Sequence, residues 1–341
     1  MKIIFTVQHP ANVHIFKNPA RILEQMGHDI WIFGRSSDVT KDLLEQYSLN
    51  SEVLVEKEPT NIINLCKIQA KYEYKMINKF RKIRPDIVIS QSGVAASHAA
   101  KLTDAKNILF IDNDHATIEN RLSKPFADKI YSPNGFKKHF GKKHEFYDSY
   151  DYLAYTHPDY FEPNTEVFKH LNINSDANYV LFRLIAWNAA HDFRAERSTD
   201  FKKLIKKFDE LGYNILISSE ETAPGEFQEF IIDVPPHLFH DLLYYSNLYV
   251  GEGAATALEA ALLGTPAIYL NELNLGYLTE FENRYGSVKD LHGHSTDDIM
   301  KNAKLMLSND FNANSIRKQV AEEKRDMTKL IVDSVSEVHD R

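Results

Sequence analysis

Cysteine is nearly missing: Cys66 is the single thiol in 341 residues, so the chain builds no internal disulfide framework and no multi-cysteine metal site, and a reducing cytoplasm suits it. Long apolar runs are missing as well. No window approaches the roughly 18 apolar residues that span a membrane, and the run at residues 3–7 is too short for a signal peptide, so a soluble, cytoplasmic protein is expected. Positive charge is not in excess either. The 40 Lys and Arg stand against 48 Asp and Glu, a formal net charge of -8, which argues against broad nucleic-acid binding and leaves no global attraction to anionic lipid. Low-complexity tracts and short-period repeats are also absent. The length gives room for two domains of ordinary size, and hence for a cleft.

The most informative stretch begins at Tyr249. An apolar run enters, Gly251 and Gly253 break it, an alanine-rich helix follows, and Gly264 with Pro266 stops that helix before a second strand. A helix that opens on residues as small as Ala254, Ala255 and Thr256 leaves its first N–H groups uncrowded, so an anion can sit against the positive end of the dipole. Glu259 lies about one turn inside, where a carboxylate can accept two hydrogen bonds from a vicinal diol such as a ribose. Together these suggest a seat for a nucleotide diphosphate. The plainer alternative is a tight strand-to-helix connection with Glu259 on a solvated face.

The rest of the chain alternates strand and helix. Residues 3–7 read as a buried parallel strand, the polar loop 8–14 follows, and Val13, Phe16, Ala20, Leu23 and Met26 then recur at helical spacing, with Pro19 in the first turn or at a kink. In open parallel sheets the ligand crevice lies beyond the carboxyl ends of the strands, so His9, Asn12 and His14 are candidate cleft residues, although a histidine beside a helix start also serves as a cap or in packing. A strand at 28–33, a long helix at 60–82 and a strand at 85–90 come next, and Gln91, Ser92 and Gly93 open another helix. The strand at 107–111 runs into Asp112, Asn113, Asp114 and His115, which offer a metal ligand set or a general base, or else a capped turn; without a second carboxylate cluster the expectation is no metal.

Residues 136–143 interleave aromatics with four lysines, a pattern for a solvated helix face or, alternatively, for peripheral contact with a membrane or an acidic acceptor. The Tyr-, Asp- and Pro-rich stretch 147–164 has no period and marks a domain boundary. Beyond it the pattern restarts: strands at 178–183, 214–218 and 226–233, helices at 201–211 and from Pro235 to about 245, then the glycine-rich stretch and amphipathic helices at 297–307 and 312–338. The expected architecture is α/β, with two Rossmann-like doubly wound domains facing a cleft, at 1–160 and 161–341, the last helix packing back on the first.

The segment from Gly253 to Pro266, with His9-Pro10-Ala11-Asn12-Val13-His14-Ile15-Phe16-Lys17, resembles a largely archaeal domain-of-unknown-function family of predicted glycosyltransferases, over essentially the whole chain. More distantly the second half is similar to non-hydrolysing UDP-N-acetylglucosamine 2-epimerases and to the lipid-II-forming N-acetylglucosaminyltransferase, both of GT-B architecture. The resemblance implies a nucleotide-sugar substrate, UDP-linked before other bases, with no separate cofactor. It implies phosphate contacts at Gly251, Gly253, Ala254, Ala255 and Thr256, a ribose contact at Glu259, and base contacts in the loop carrying Asp233 and Val234, with Glu252 among the substrate-binding residues of the turn. Arg183 would lie near the phosphates, and Gln91, Ser92, Gly93, Asp114 and His115 would line the sugar or acceptor side. The expected activity is metal-independent glycosyl transfer in cell-surface glycan or glycoconjugate synthesis, with His14, then His9, as base; the rivals are 2-epimerisation and a non-enzymatic partner-binding scaffold. Residues 8–13 contain no glycine, a departure from the first loop of the lipid-linked transferase. The acceptor and the oligomeric state, a homodimer included, stay open.

Overall fold

The computed structural model describes residues 1–35, 38–56, 62–114, 116–184, 200–219, 225–273, 275–308 and 311–339. The chain forms two units, Met1–Tyr155 with Lys324–Arg341, and Thr156–Glu323. Unit 1 begins β1 (Lys2–Val7), α1 (Pro10–Gln25), β2 (Asp29–Arg35), α2 (Asp38–Gln46), β3 (Ser51–Val55), α3 (Ile62–Ile83) and β4 (Ile87–Gln91). It continues with α4 (Val94–Thr103), β5 (Lys106–Phe110), α5 (Thr117–Ser123), β6 (Lys129–Pro133), β7 (His144–Tyr147) and α6 (Leu153–Thr156), whose last residue already belongs to unit 2. Its seven strands stand in the order β3-β2-β1-β4-β5-β6-β7, all parallel. Ile3, Ile4, Phe5 and Val7 have no exposed surface, as a continuous apolar run requires when both faces of a parallel sheet are covered by helices.

Unit 2 holds β8 (Tyr179–Leu184), α7 (Phe201–Glu210), β9 (Asn214–Ser219), α8 (Phe239–Tyr245), β10 (Leu248–Gly251), α9 (Ala254–Leu263) and β11 (Ala267–Tyr269). Then come α10 (Gly276–Tyr285), β12 (Val288–Asp290), α11 (Thr296–Met306) and α12 (Ala313–Glu323). Its five-stranded parallel sheet runs β12-β11-β10-β8-β9. α13 (Met327–His339) then returns to unit 1 and buries Met327, Leu330, Ile331, Val335 and Val338.

Three local expectations are corrected. Residues 226–233 are not a strand: a 3₁₀ turn covers Gly225–Phe230, and a single bridge joins Ile231 to Ile217. Phe227, Phe230 and Ile231 all pack on the unit 2 core, and their i, i+3, i+4 spacing is that of a helical turn. Residues 136–143 are not a helix but coil and turns; Phe136 is buried, and Gly141 takes a left-handed φ of +83°. The helix expected over 312–338 breaks between Glu323 and Met327, where Asp326 accepts from the Lys329 N–H at 2.9 Å and so caps a new helix.

Candidate functional site

In unit 2 the chain moves outward from β8 to β9, then crosses to β10 on the other side of β8. The reversal between β8 and β10 is a topological switch point, where an open parallel sheet leaves a crevice at its carboxyl ends. Arg183 and Gly251 are register partners there, and the Glu252 N–H donates to the Arg183 carbonyl at 3.1 Å. Gly251 is required by this approach: a Cβ would lie 2.6 Å from that carbonyl and 2.5 Å from the Tyr249 hydroxyl. Tyr249 is fully buried beneath the turn, where burial raises its phenol pKa, and its hydroxyl donates to the Gly253 carbonyl at 3.3 Å. Gly253 is the extended N-cap of α9, at φ -84° and ψ 107°, with no side chain capping the helix. Its opening residues Ala254 and Ala255 are half-buried and exposed, whereas Thr256 is buried.

Beside this turn, Arg183 Nη1 donates to Ser218 Oγ at 2.9 Å, and its guanidinium lies 4.9 Å over the Phe239 ring. A cation is thus held at the ends of β8 and β9, near the positive end of α9. Glu259, one turn into α9, is 8% exposed, with Oε1 3.4 Å from Nε2 of His240 on α8. That imidazole orients the carboxylate expected to meet the diol. Further along, the Ile232 N–H donates to the Ile217 carbonyl at 3.1 Å, which lays Asp233 and Val234 past the carboxyl half of β9 with Asp233 exposed. A pocket of about 500 Å³ runs along β9 and the adjoining loop, lined by His170, Asp209, Tyr213, Asn214, Glu229 and Asp233, and takes in none of the residues of the glycine turn.

Unit 1 has its own switch point, between β1 and β4. His9 caps α1: its Nδ1 accepts from the Ala11 N–H at 3.2 Å, which leaves the ring exposed with its proton on Nε2. Asn12, placed by sequence among the ligand contacts, is occupied within the protein. Its Oδ1 accepts from the Gln8 and His9 N–H groups at 3.0 and 3.1 Å, so its Nδ2 must point to Gln91 Oε1. Gln91 Nε2 in turn donates to Asp151 Oδ2 at 3.0 Å, and the Tyr147 hydroxyl donates to Asp151 Oδ1. The amide orientations are therefore fixed from one end of this chain of bonds to the other.

Asp151 is the residue that sequence reasoning missed. It lies inside the aperiodic stretch read only as a boundary, and its position between Tyr147 and Gln91 is a tertiary fact. Burial, then the nearby Asp112 charge, raises its carboxyl pKa to about 7, against the pull of its two hydrogen bonds. The Asp112 carboxylate near it belongs to a residue that is itself exposed.

The remaining candidates divide. Ser92 sits in a left-handed conformation, φ 51°, and Gly93 caps α4 with nearly the backbone of Gly253, at φ -74° and ψ 96°; a Cβ on Gly93 would meet Ser90 Oγ at 2.7 Å. His14 is buried, its Nδ1 3.1 Å from the Tyr47 hydroxyl and its ring centroid 5.3 Å from that of Tyr155, a packing position. Asp114 is a loop brace: its carboxylate accepts from the Lys137 N–H at 3.0 Å, and its carbonyl from Lys138 Nζ at 2.6 Å. His115 lies outside the described residues. Among the described residues no group of three or more His, Cys, Asp and Glu is arranged to hold a metal ion.

Two doubly wound parallel-sheet units, each with a glycine-capped helix at its switch point, define a protein of the two-Rossmann-unit, GT-B class. The chain belongs to the DUF354 family, described as proteins of unknown function, whose profile matches residues 1–340. An uncharacterized protein of Methanocaldococcus jannaschii is 23% identical over 309 residues, covering 85% of this chain and 89% of the relative. Among solved structures, the UDP-GlcNAc 2-epimerase of Neisseria meningitidis, bound to UDP-GlcNAc, matches with a TM-score of 0.68 at 13% identity, over 99% of this chain and 100% of its own. The spinosyn forosaminyltransferase SpnP matches with a TM-score of 0.64 at 13% identity, over 100% of both chains. At these identities the likeness is one of fold.

Proposed function

We propose that the protein is a GT-B-type glycosyltransferase that takes its sugar from a nucleotide diphosphate, a UDP-sugar before the others. The observation that carries this reading is the side-chain-free opening of α9 beside Arg183 at the β8/β10 switch point. N–H groups from Gly253 onward would receive the diphosphate, Arg183 would offset the charge of the departing group, and Glu259 would hold the ribose diol. The loop with Asp233 and Val234 would meet the base. We assign the acceptor side to unit 1, where the exposed His9, rather than the packed His14, would act as base through Nδ1, which gives up its bond from the Ala11 N–H to take the acceptor proton while Nε2 keeps its own, and where Gly93 would line the sugar side. The electrostatics proposed for the leaving group need no metal. The setting would be cytoplasmic synthesis of a surface glycan or glycoconjugate.

A second reading, nucleotide-sugar 2-epimerisation on the same scaffold, is favoured by the fold likeness to the epimerase solved with UDP-GlcNAc. Calorimetry with UDP, GDP, CDP and dTDP sugars tests donor binding. Glu259→Ala should weaken the best ligand by about 10- to 150-fold, the worth of a charged buried hydrogen bond of about 1.5–3 kcal/mol. Unchanged affinity would remove Glu259 from the site, and no affinity across the panel would favour a partner-binding scaffold. Deuterium entering C2 from solvent without an acceptor would decide for epimerisation.

A further inference from the structure

α5 is built inside out. Its buried residues are polar, Asn120 at 3% and Ser123 at 0% exposure, whereas its large aliphatics, Ile118 at 72% and Leu122 at 46%, face outward one turn apart. The polar side is satisfied within the fold: Asn120 Nδ2 donates to the Asn113 carbonyl at 2.9 Å, and Ser123 Oγ to the Glu119 carbonyl at 2.8 Å. A third outward aliphatic comes from α4. Leu102, 58% exposed, lies one turn from His98, whose Nε2 sits 3.3 Å from the Leu122 carbonyl. Aliphatic side chains grouped on the outside of a helix whose inside is polar mark a contact surface.

A basic margin adjoins them. Lys124 Nζ lies 4.8 Å over the Phe140 ring, and Lys143 Nζ donates to the Ala127 carbonyl at 2.8 Å, so the coil 136–143 is fastened to the turn that follows α5. Phe136 turns inward while Lys137, Lys138 and Lys142 stay exposed. Residues 116–143 carry seven Lys or Arg against Glu119 and Asp128, in a chain whose net charge is -8. Two of the seven are engaged inside the fold, Lys129 paired at 2.6 Å with both Glu145 and Glu337 and Lys143 donating to the Lys124 and Ala127 carbonyls, and Arg121, Lys124, Lys137, Lys138 and Lys142 form the margin.

We propose that this face of unit 1 docks on an anionic lipid bilayer, with Ile118, Leu122 and Leu102 entering the headgroup boundary and the lysines meeting lipid phosphates. Aliphatics beside cations fit a lipid interface. Nucleic acid calls for the cations alone or for stacking aromatics, and a second copy of the chain would set two cationic margins against each other. The inference is independent of the donor reading in unit 2.

The full chain should co-sediment with phosphatidylcholine vesicles containing about one third phosphatidylglycerol, and 0.5 M salt should release it. Pure phosphatidylcholine should retain at least ten-fold less. The pair Ile118→Ser with Leu122→Ser, and separately Arg121→Glu with Lys142→Glu, should each lower vesicle binding at least ten-fold with an unchanged thermal melt. Leu305→Ser, at a 61% exposed site in unit 2, should leave it unchanged. The proposal is overturned by absent or charge-independent sedimentation, by binding indifferent to the serine pair, by equal binding of single-stranded RNA, or by a dimer that the serine pair dissociates.

Discussion

At the residue scale, Asp151 couples proton binding to the ends of three strands. Its carboxyl receives Gln91 from β4 and Tyr147 from β7, and through Gln91 it reaches Asn12 and the loop after β1. Below about pH 4 the carboxyl is protonated in folded and unfolded chain alike. From there to about pH 7 the native protein keeps a proton that the unfolded chain has released, so this group lowers stability as pH rises through that window and adds no slope above it. Asp151→Asn should remove that slope, and urea midpoints of the two proteins between pH 4 and 8 check it; parallel curves would deny the raised pKa. Gly251 offers a second test. Gly251→Ala places a methyl against main chain and a buried ring, so a loss of about 1–3 kcal/mol is expected in denaturant melts. Gly253, whose Cβ would meet nothing closer than 3.3 Å, should accept alanine with a smaller loss of stability.

At the element scale, what the sequence made legible was what neighbouring residues decide. The run at β1, the glycine-capped α9 and the left-handed stop at Gly264, φ 92°, are local patterns, and each lies where its pattern puts it. Short strands were less visible: β3, β6 and β12 bring three to five residues each, too few for periodicity to speak. The helix break before α13 was hidden because residues 312–338 are amphipathic throughout, and the break depends on distant Asp148, which binds Lys324 Nζ at 2.7 Å and, through its carbonyl, the Arg325 N–H at 2.9 Å. Asp326→Ala should cost about 1 kcal/mol through loss of the α13 cap, read as a lower urea midpoint for unit 1.

At the scale of the whole molecule, the chain leaves unit 1 after Tyr155 and comes back at Lys324 to complete it. Five apolar side chains of α13 are buried, each worth about 1.5–3 kcal/mol, a sum comparable to the entire stability margin of a domain, about 5–15 kcal/mol. A chain ended after Glu323 should therefore lose hydrogen-exchange protection in β1 to β7 and keep it in β8 to β12. Protection retained in both sheets would show that α13 is dispensable.

The sequence by itself determined the alternation of strand and helix, the glycine turns and the low thiol content, because each is fixed by residues a few positions apart. Only the tertiary structure decided which polar groups meet. Asn12, Gln91 and Asp151 join across sequence separations of 79 and 60 residues, and His14 is drawn into packing against Tyr155 while His9 stays outside. A hydrogen bond forms between groups that strand order brings within 3 Å or so, and strand order is set by burying both faces of a sheet, a condition met by the whole chain and by no short segment of it.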